Sequence, residues 1–174
     1  MRYAAFLLAL GLLSSAQSLA PYVPTPEDVV DRMLALAQVT AKDVVIDLGC
    51  GDGRIPIRAA QKFGARGIGV DIDPVRIAES RANARAAGVE HLTEFRLEDA
   101  LATDVSKASV VTLYLFSSAN QALRPRLQQQ LRPGARVVSH AFSMGPDWPA
   151  DKVDRFTSAR GDSVTLYLWK IVGR

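Results

Sequence analysis

Apolar positions along this chain switch repeatedly between two periods, and the switches mark its elements. Val44, Val45 and Ile46 are an unbroken β-branched run, the pattern of a strand buried on both faces. Asp47 ends that run. From Ile55 the period lengthens: Ile55, Ile57, Ala59, Ala60 and Phe63 fall along one side of a helix, and Gly64 is placed to stop it. Residues 67–73 predict a second strand. Residues 74–87 predict a helix with Val75, Ile77, Ala78, Ala82 and Ala86 on its apolar side, Asp73 as its cap and Gly88 as its stop. Further strands are expected at residues 93–97, 109–115 and 135–142. A helix over 120–131 and an Arg132-Pro133-Gly134 turn separate the last two.

The two ends of the chain complete the pattern. Prolines keep residues 21–26 extended, Thr25 is positioned to cap a helix beginning at Pro26, and Val29, Val30, Met33, Leu34 and Leu36 give that helix its apolar face. Residues 153–159 and 163–172 read as two strands around Arg160-Gly161-Asp162, a β-hairpin. Leu166 and Leu168 alternate with Tyr167 and Trp169, so both faces of the last strand are apolar, as a strand inside a sheet requires. Strands alternating with helices predict an α/β fold: five parallel strands closed by a C-terminal antiparallel hairpin, a mostly parallel seven-stranded sheet.

Composition narrows the class. The chain has 174 residues, 48% hydrophobic and 22% charged, which suits one domain with an adequate core. A net charge of +3 gives no case for a nucleic-acid partner, which would favour a clustered basic face. Cys50 is the only cysteine, and with His91 and His140 as the only histidines no metal centre is expected. Cys50 reads as a small residue tolerated between two glycines.

Residues 1–20 read as a signal peptide or an N-terminal membrane anchor. Arg2 precedes an apolar run over residues 3–13, too short to span a bilayer comfortably, and Ser14, Ser15, Ala16 and Ser18 supply small residues for cleavage. The expected domain is then 21–174, exported to the periplasm or held at a membrane through residues 1–20. A cytoplasmic protein is the alternative if the start site is misassigned.

The chemistry concentrates where the first strand meets its helix. Asp47-Leu48-Gly49-Cys50-Gly51-Asp52-Gly53 joins strand to helix N-terminus, the place where α/β sheets bind nucleotide-type ligands. The loop reads G-x-G-x-G, one residue short of the dinucleotide fingerprint. Asp47 and Asp52 would repel a pyrophosphate and attract a ligand with a positive centre and an amino-acid end. S-adenosylmethionine (SAM), with its sulfonium and ammonium groups, is such a ligand. Asp71 ends the second strand 22 residues after Gly49, where a carboxylate can accept both ribose hydroxyls. Ile72 is placed against the adenine.

These motifs resemble the first and second motifs of class I SAM-dependent methyltransferases. The resemblance implies a Rossmann-like methyltransferase fold over residues 21–174, and SAM held by Asp47, Gly49, Gly51, Asp52, Asp71, Ile72 and Asp99. In it Asp47 orients the methionine end and Asp99 meets the adenine amino group. Tyr22-Val23-Pro24-Thr25, the loop from Asp47 and the region from Arg136-Val137-Val138 to Trp148 are similar to the small relatives of the mitochondrial protein-lysine methyltransferases. Those relatives act on the adenine nucleotide translocase and the membrane ring of ATP synthase. This implies a lysine acceptor on a protein, a membrane protein among the candidates. After the fourth strand the chain has Phe116-Ser117-Ser118 instead of a proline motif, and Asp71 stands where those relatives tend to have Glu. No acid–base pair is expected; His140 reads as a core or rim histidine rather than a base, and Trp148 as either an acceptor wall or a loop closure. Three alternatives stay open: a SAM-binding sensor or assembly factor, a small-molecule methyltransferase, and a nicotinamide oxidoreductase.

Overall fold

The computed structural model describes residues 19–173. Helix α1 (Glu27–Leu36) precedes β1 (Val44–Leu48), α2 (Arg54–Phe63), β2 (Arg66–Asp71), α3 (Pro74–Ala86), β3 (Thr93–Leu97), β4 (Val110–Leu113), α4 (Ser117–Gln130), β5 (Arg136–His140), β6 (Lys152–Thr157) and β7 (Ser163–Lys170). The strands form one sheet in the order β3-β2-β1-β4-β5-β7-β6. β1 to β5 run parallel, and β7 is antiparallel between β5 and β6. The expected closing hairpin and inserted last strand are therefore present.

Side-chain alternation divides the core. Ile46, Leu48, Val111, Leu113, Val137 and Trp169 share a buried cluster with Leu123 and Leu127 of α4. Val45, Val110, Val138, Leu166 and Leu168 share another with Val29, Val30, Met33 and Leu34 of α1 and Ile55 and Ala59 of α2. At the amino edge, Asp43 ties three elements together. Its carboxylate accepts from Ser109 Oγ at 2.7 Å, Arg136 Nη2 at 2.9 Å and the Thr40 amide at 2.7 Å.

Most element bounds shift by one to three residues from the sequence expectation, and four departures have a visible reason. Thr25 does not cap α1. Pro26 holds the cap position without a side-chain bond, and the Thr25 carbonyl instead accepts from Arg54 Nη1 at 2.7 Å. Of the apolar side expected for α3 only Ile77 is buried; Ser80 and Ala84 join it, while Val75 is 60% exposed. Small Ser80 suits that face, because Gly53 packs onto it. Helix α4 begins at Ser117 rather than Asn120, whose buried amide is bonded to Ser139 Oγ and the Phe142 carbonyl and holds the first turn against β5. β5 ends at His140, two residues early, where Ala141 takes φ +66°.

The expectation of export or membrane anchoring is corrected. Among the described residues no helix is long and apolar enough to cross a membrane. Residues 1–18, which carried that expectation, lie outside the described residues. Leu19 and Ala20, assigned to the same leader, pack against the domain core.

Candidate cofactor cleft

The glycine loop is built by bonds that cross to β2. The Gly49 and Cys50 amides both donate to the Val70 carbonyl at 2.9 Å, and the Gly51 amide donates to Asp71 Oδ2 at 2.9 Å. Gly51 has φ +53°, which a side chain rarely adopts, and a Cβ there would meet the Tyr22 ring at 2.6 Å. Gly53, at φ +80°, has a different task. A Cβ on it would lie 2.7 Å from Phe95 and Ser80, so this third glycine admits close packing of α2 against its neighbours. Cys50 is buried and shielded from ionisation by burial, then by the charges of Asp47 and Asp71, so its thiol is inert at neutral pH. That agrees with reading it as a small filler.

All seven residues expected to hold the cofactor line one cleft of about 250 Å³ at the carboxyl edge of the sheet. Their carboxylates are not equivalent. Asp47 is 2% exposed and accepts from Thr112 Oγ1 at 2.7 Å. Burial raises its pKa to about 7, against the Thr112 bond and with help from the Asp71 and Asp52 charges. A cationic ligand in the cleft would reverse that shift. Asp52 is already paired: Arg54 Nη2 lies 2.6 Å from its Oδ2, and although burial pushes the other way, the guanidinium holds the carboxyl below its usual range. Asp52 thus lines the cleft as the anchor of Arg54, which in turn holds Thr25.

Asp71 uses one oxygen on the Gly51 amide and the other on the Asp73 amide at 3.0 Å. A carboxylate has about four acceptor sites, so it pins the loop and retains capacity for hydroxyls. Asp99 accepts from the Leu101 amide at 2.8 Å through Oδ1, so it caps a turn while facing the cleft. Ile72 supplies an apolar wall beside them.

The sequence reading missed the roof. Residues 19–25 run across the cleft and line it throughout. Tyr22 lies over Gly51, and the Arg76 guanidinium sits 4.3 Å from its ring centroid. The Tyr-Val-Pro-Thr motif was the available signal; that it folds back over the glycine loop depends on Arg54 and Arg76, which no local pattern ties to it. Tyr114 and Leu115 also reach the cleft from the end of β4. Trp148 does not line it. Its ring lies 5.8 Å from that of Trp169, tilted by 44°, and its carbonyl accepts the Trp169 indole N–H, closing a loop.

His140 is 7% exposed, with its ring 4.0 Å from that of Tyr114. Burial lowers its pKa to about 4, so it is neutral at physiological pH and a weak proton acceptor. The unfolded chain takes up that proton first, near pH 6.5. The contribution of neutral His140 is then complete above about pH 6.5 and lost as pH falls towards 4. Between pH 8 and pH 5 the wild type is expected to lose about 2 kcal/mol more stability than His140→Phe. Urea melts at the two pH values measure this, and parallel losses would contradict it.

A switch-point crevice with a glycine loop, buried acid at the first strand end and second acid at the end of β2 defines a class I SAM-dependent methyltransferase. The chain belongs to the family described as the ANTKMT methyltransferase domain, which matches residues 47–152. It is 47% identical over 149 residues to a protein-lysine N-methyltransferase of Saccharolobus islandicus, covering 85% of this chain and 92% of that one. It is 33% identical over 129 residues to the adenine nucleotide translocase lysine N-methyltransferase of Mus musculus, covering 74% of this chain and 55% of that protein. Among solved structures it is 53% identical to an RNA methyltransferase from Salinibacter ruber in complex with S-adenosyl-L-homocysteine. The TM-score is 0.81, over 87% of this chain and 95% of that one. The chain is thus a methyltransferase with SAM as its cofactor.

Proposed function

We propose that this enzyme methylates the side-chain amine of lysine in a protein. The Saccharolobus islandicus relative, a protein-lysine N-methyltransferase that matches nearly end to end, carries this reading. The cleft charge is in keeping with it: among the described residues Asp47, Asp52, Asp71, Asp73 and Asp99 line it with Arg54 and Arg76, Asp52 being already paired with Arg54.

SAM supplies the electrophilic methyl group. Gly49 and Gly51 admit its methionine end, Asp47 receives the ammonium, Asp71 takes ribose and Asp99 the adenine amino group, with Ile72 against the ring. Positioning nucleophile and methyl in line can account for about 7–11 kcal/mol of barrier reduction. A lysine ammonium entering the cleft is partly desolvated, which lowers its pKa, so that it releases its proton to solvent and meets the methyl group as the neutral nucleophile. The residues named here therefore orient and desolvate, and none is assigned as a base. Asp71→Ala is expected to weaken SAM binding by about 1.5–3 kcal/mol, by calorimetry; unchanged affinity would remove Asp71 from the site.

A second reading has one observation behind it: the Salinibacter ruber structure is of a protein described as an RNA methyltransferase. Labelled SAM offered with both a protein extract and total RNA separates the two. Label recovered as methyllysine supports the protein acceptor. Label that disappears on ribonuclease digestion would replace lysine with a nucleotide.

A further inference from the structure

Three aromatic rings lead outward from the cofactor cleft. Tyr114 lines the cleft just beyond β4. Its ring lies 6.4 Å from that of Phe142, tilted by 28°, and Phe142 meets Phe116 edge-on at 5.6 Å. Phe116 is 46% exposed, while Tyr114 and Phe142 are half-buried. The row therefore runs from the cleft to open surface.

The backbone that places Phe142 is strained. Ala141, not a glycine, has φ +66°, and the Phe142 amide donates to the His140 carbonyl two residues back at 2.8 Å. Together these make a γ-turn of the positive-φ kind, which is rare and costly. Such strain persists where surrounding bonds over-determine it, and it gathers at ligand sites. Here the surroundings are visible. The Ala141 amide donates to the Thr165 carbonyl at 2.8 Å, and the buried Asn120 Nδ2 holds the Phe142 carbonyl at 3.0 Å. These bonds end β5 and set Phe142 beside Tyr114 and Phe116.

We infer that Tyr114, Phe142 and Phe116 form the track along which an alkylammonium side chain of a polypeptide reaches the methyl group. This rests on the protein-lysine reading above. Aromatic faces attract a cation, and the methylenes of a lysine arm pack along ring surfaces. The His140 ring behind Tyr114 carries no charge at physiological pH, so it does not oppose the incoming ammonium. The carboxylates of the cleft lie at the inner end of the track.

The test uses the full chain, labelled SAM and a protein extract titrated as acceptor, with methyllysine read by mass spectrometry after hydrolysis. Phe116→Ala and Phe142→Leu are each expected to raise the half-saturating acceptor concentration about fivefold to tenfold. Calorimetric SAM affinity stays unchanged, and Phe116→Trp restores acceptor binding. Because Phe116 is exposed, its loss leaves the fold intact. An unchanged half-saturation in both variants overturns the track, as does a Phe116→Ala variant that loses SAM affinity instead. If the wild type itself labels RNA and no lysine, the protein-lysine reading falls and the track with it, a failure seen before any variant is made.

Discussion

Asp47→Asn is expected to weaken SAM binding at pH 8 by about 1.5–3 kcal/mol, the value of a hydrogen bond to a charged partner. The same change is expected to stabilise the ligand-free protein. The two signs have one origin. Asp47 lies at the end of β1, 2% exposed, with a pKa raised by burial to about 7. An acid whose pKa is raised on folding holds its proton more tightly in the native state. Stability is therefore lost as pH rises from about 4 to about 7, and the whole cost is present at pH 8. Asparagine keeps the shape and can still accept from Thr112, yet it carries no charge to desolvate, so the ligand-free variant should gain about 1–3 kcal/mol at pH 8. Calorimetry measures the first effect and urea melts the second. A variant that binds SAM normally would show that the buried charge is not the ligand's partner, and one that is less stable without SAM would show that the charge is already compensated in the native state.

The second large effect is structural. Trp169→Ala is expected to cost about 3–5 kcal/mol of stability, as large aromatic deletions in a core do. Trp169 is fully buried on β7, paired in register with Val137 of β5, and packs in the cluster of β1, β4 and α4. Its indole N–H donates to the Trp148 carbonyl at 2.9 Å, so the change also leaves that loop carbonyl without its partner. Against a total of about 5–15 kcal/mol this is a large fraction. Chemical denaturation is the measurement. A loss below about 1 kcal/mol would mean that β7 is held by its backbone ladder with little help from the indole.

Much of the cleft was legible because its logic is local. The run Val44 to Ile46, the break at Asp47 and the glycines that follow state a strand, a loop and a helix in sequence order. Asp71 and Asp99 stand at the ends of the next two strands, where an α/β sheet places its ligands. The same local reasoning did not show the partner of Asp52. Its neighbour Arg54 is two residues away on the first turn of α2, and only the helix geometry folds that guanidinium back onto the carboxylate. Local reasoning placed Ile77 correctly on the buried face of α3 and Val75 wrongly, and it did not show Ser80 there, which packs against Gly53 of another element.

What the sequence determined by itself was the order of strands and helices and the closing hairpin, because period, turn residues and caps act within a few positions of one another; the resemblance of its motifs added seven of the residues that line the cleft. The tertiary structure alone decided the contacts between distant segments. Residues 19–25 cover the glycine loop because Arg54 and Arg76 hold them there. Tyr114 meets His140 because β4 and β5 pair in parallel register, and Phe142 joins them because a strained turn at Ala141 ends β5 early. Such contacts depend on register and on bonds between residues far apart in the chain, which no local periodicity encodes.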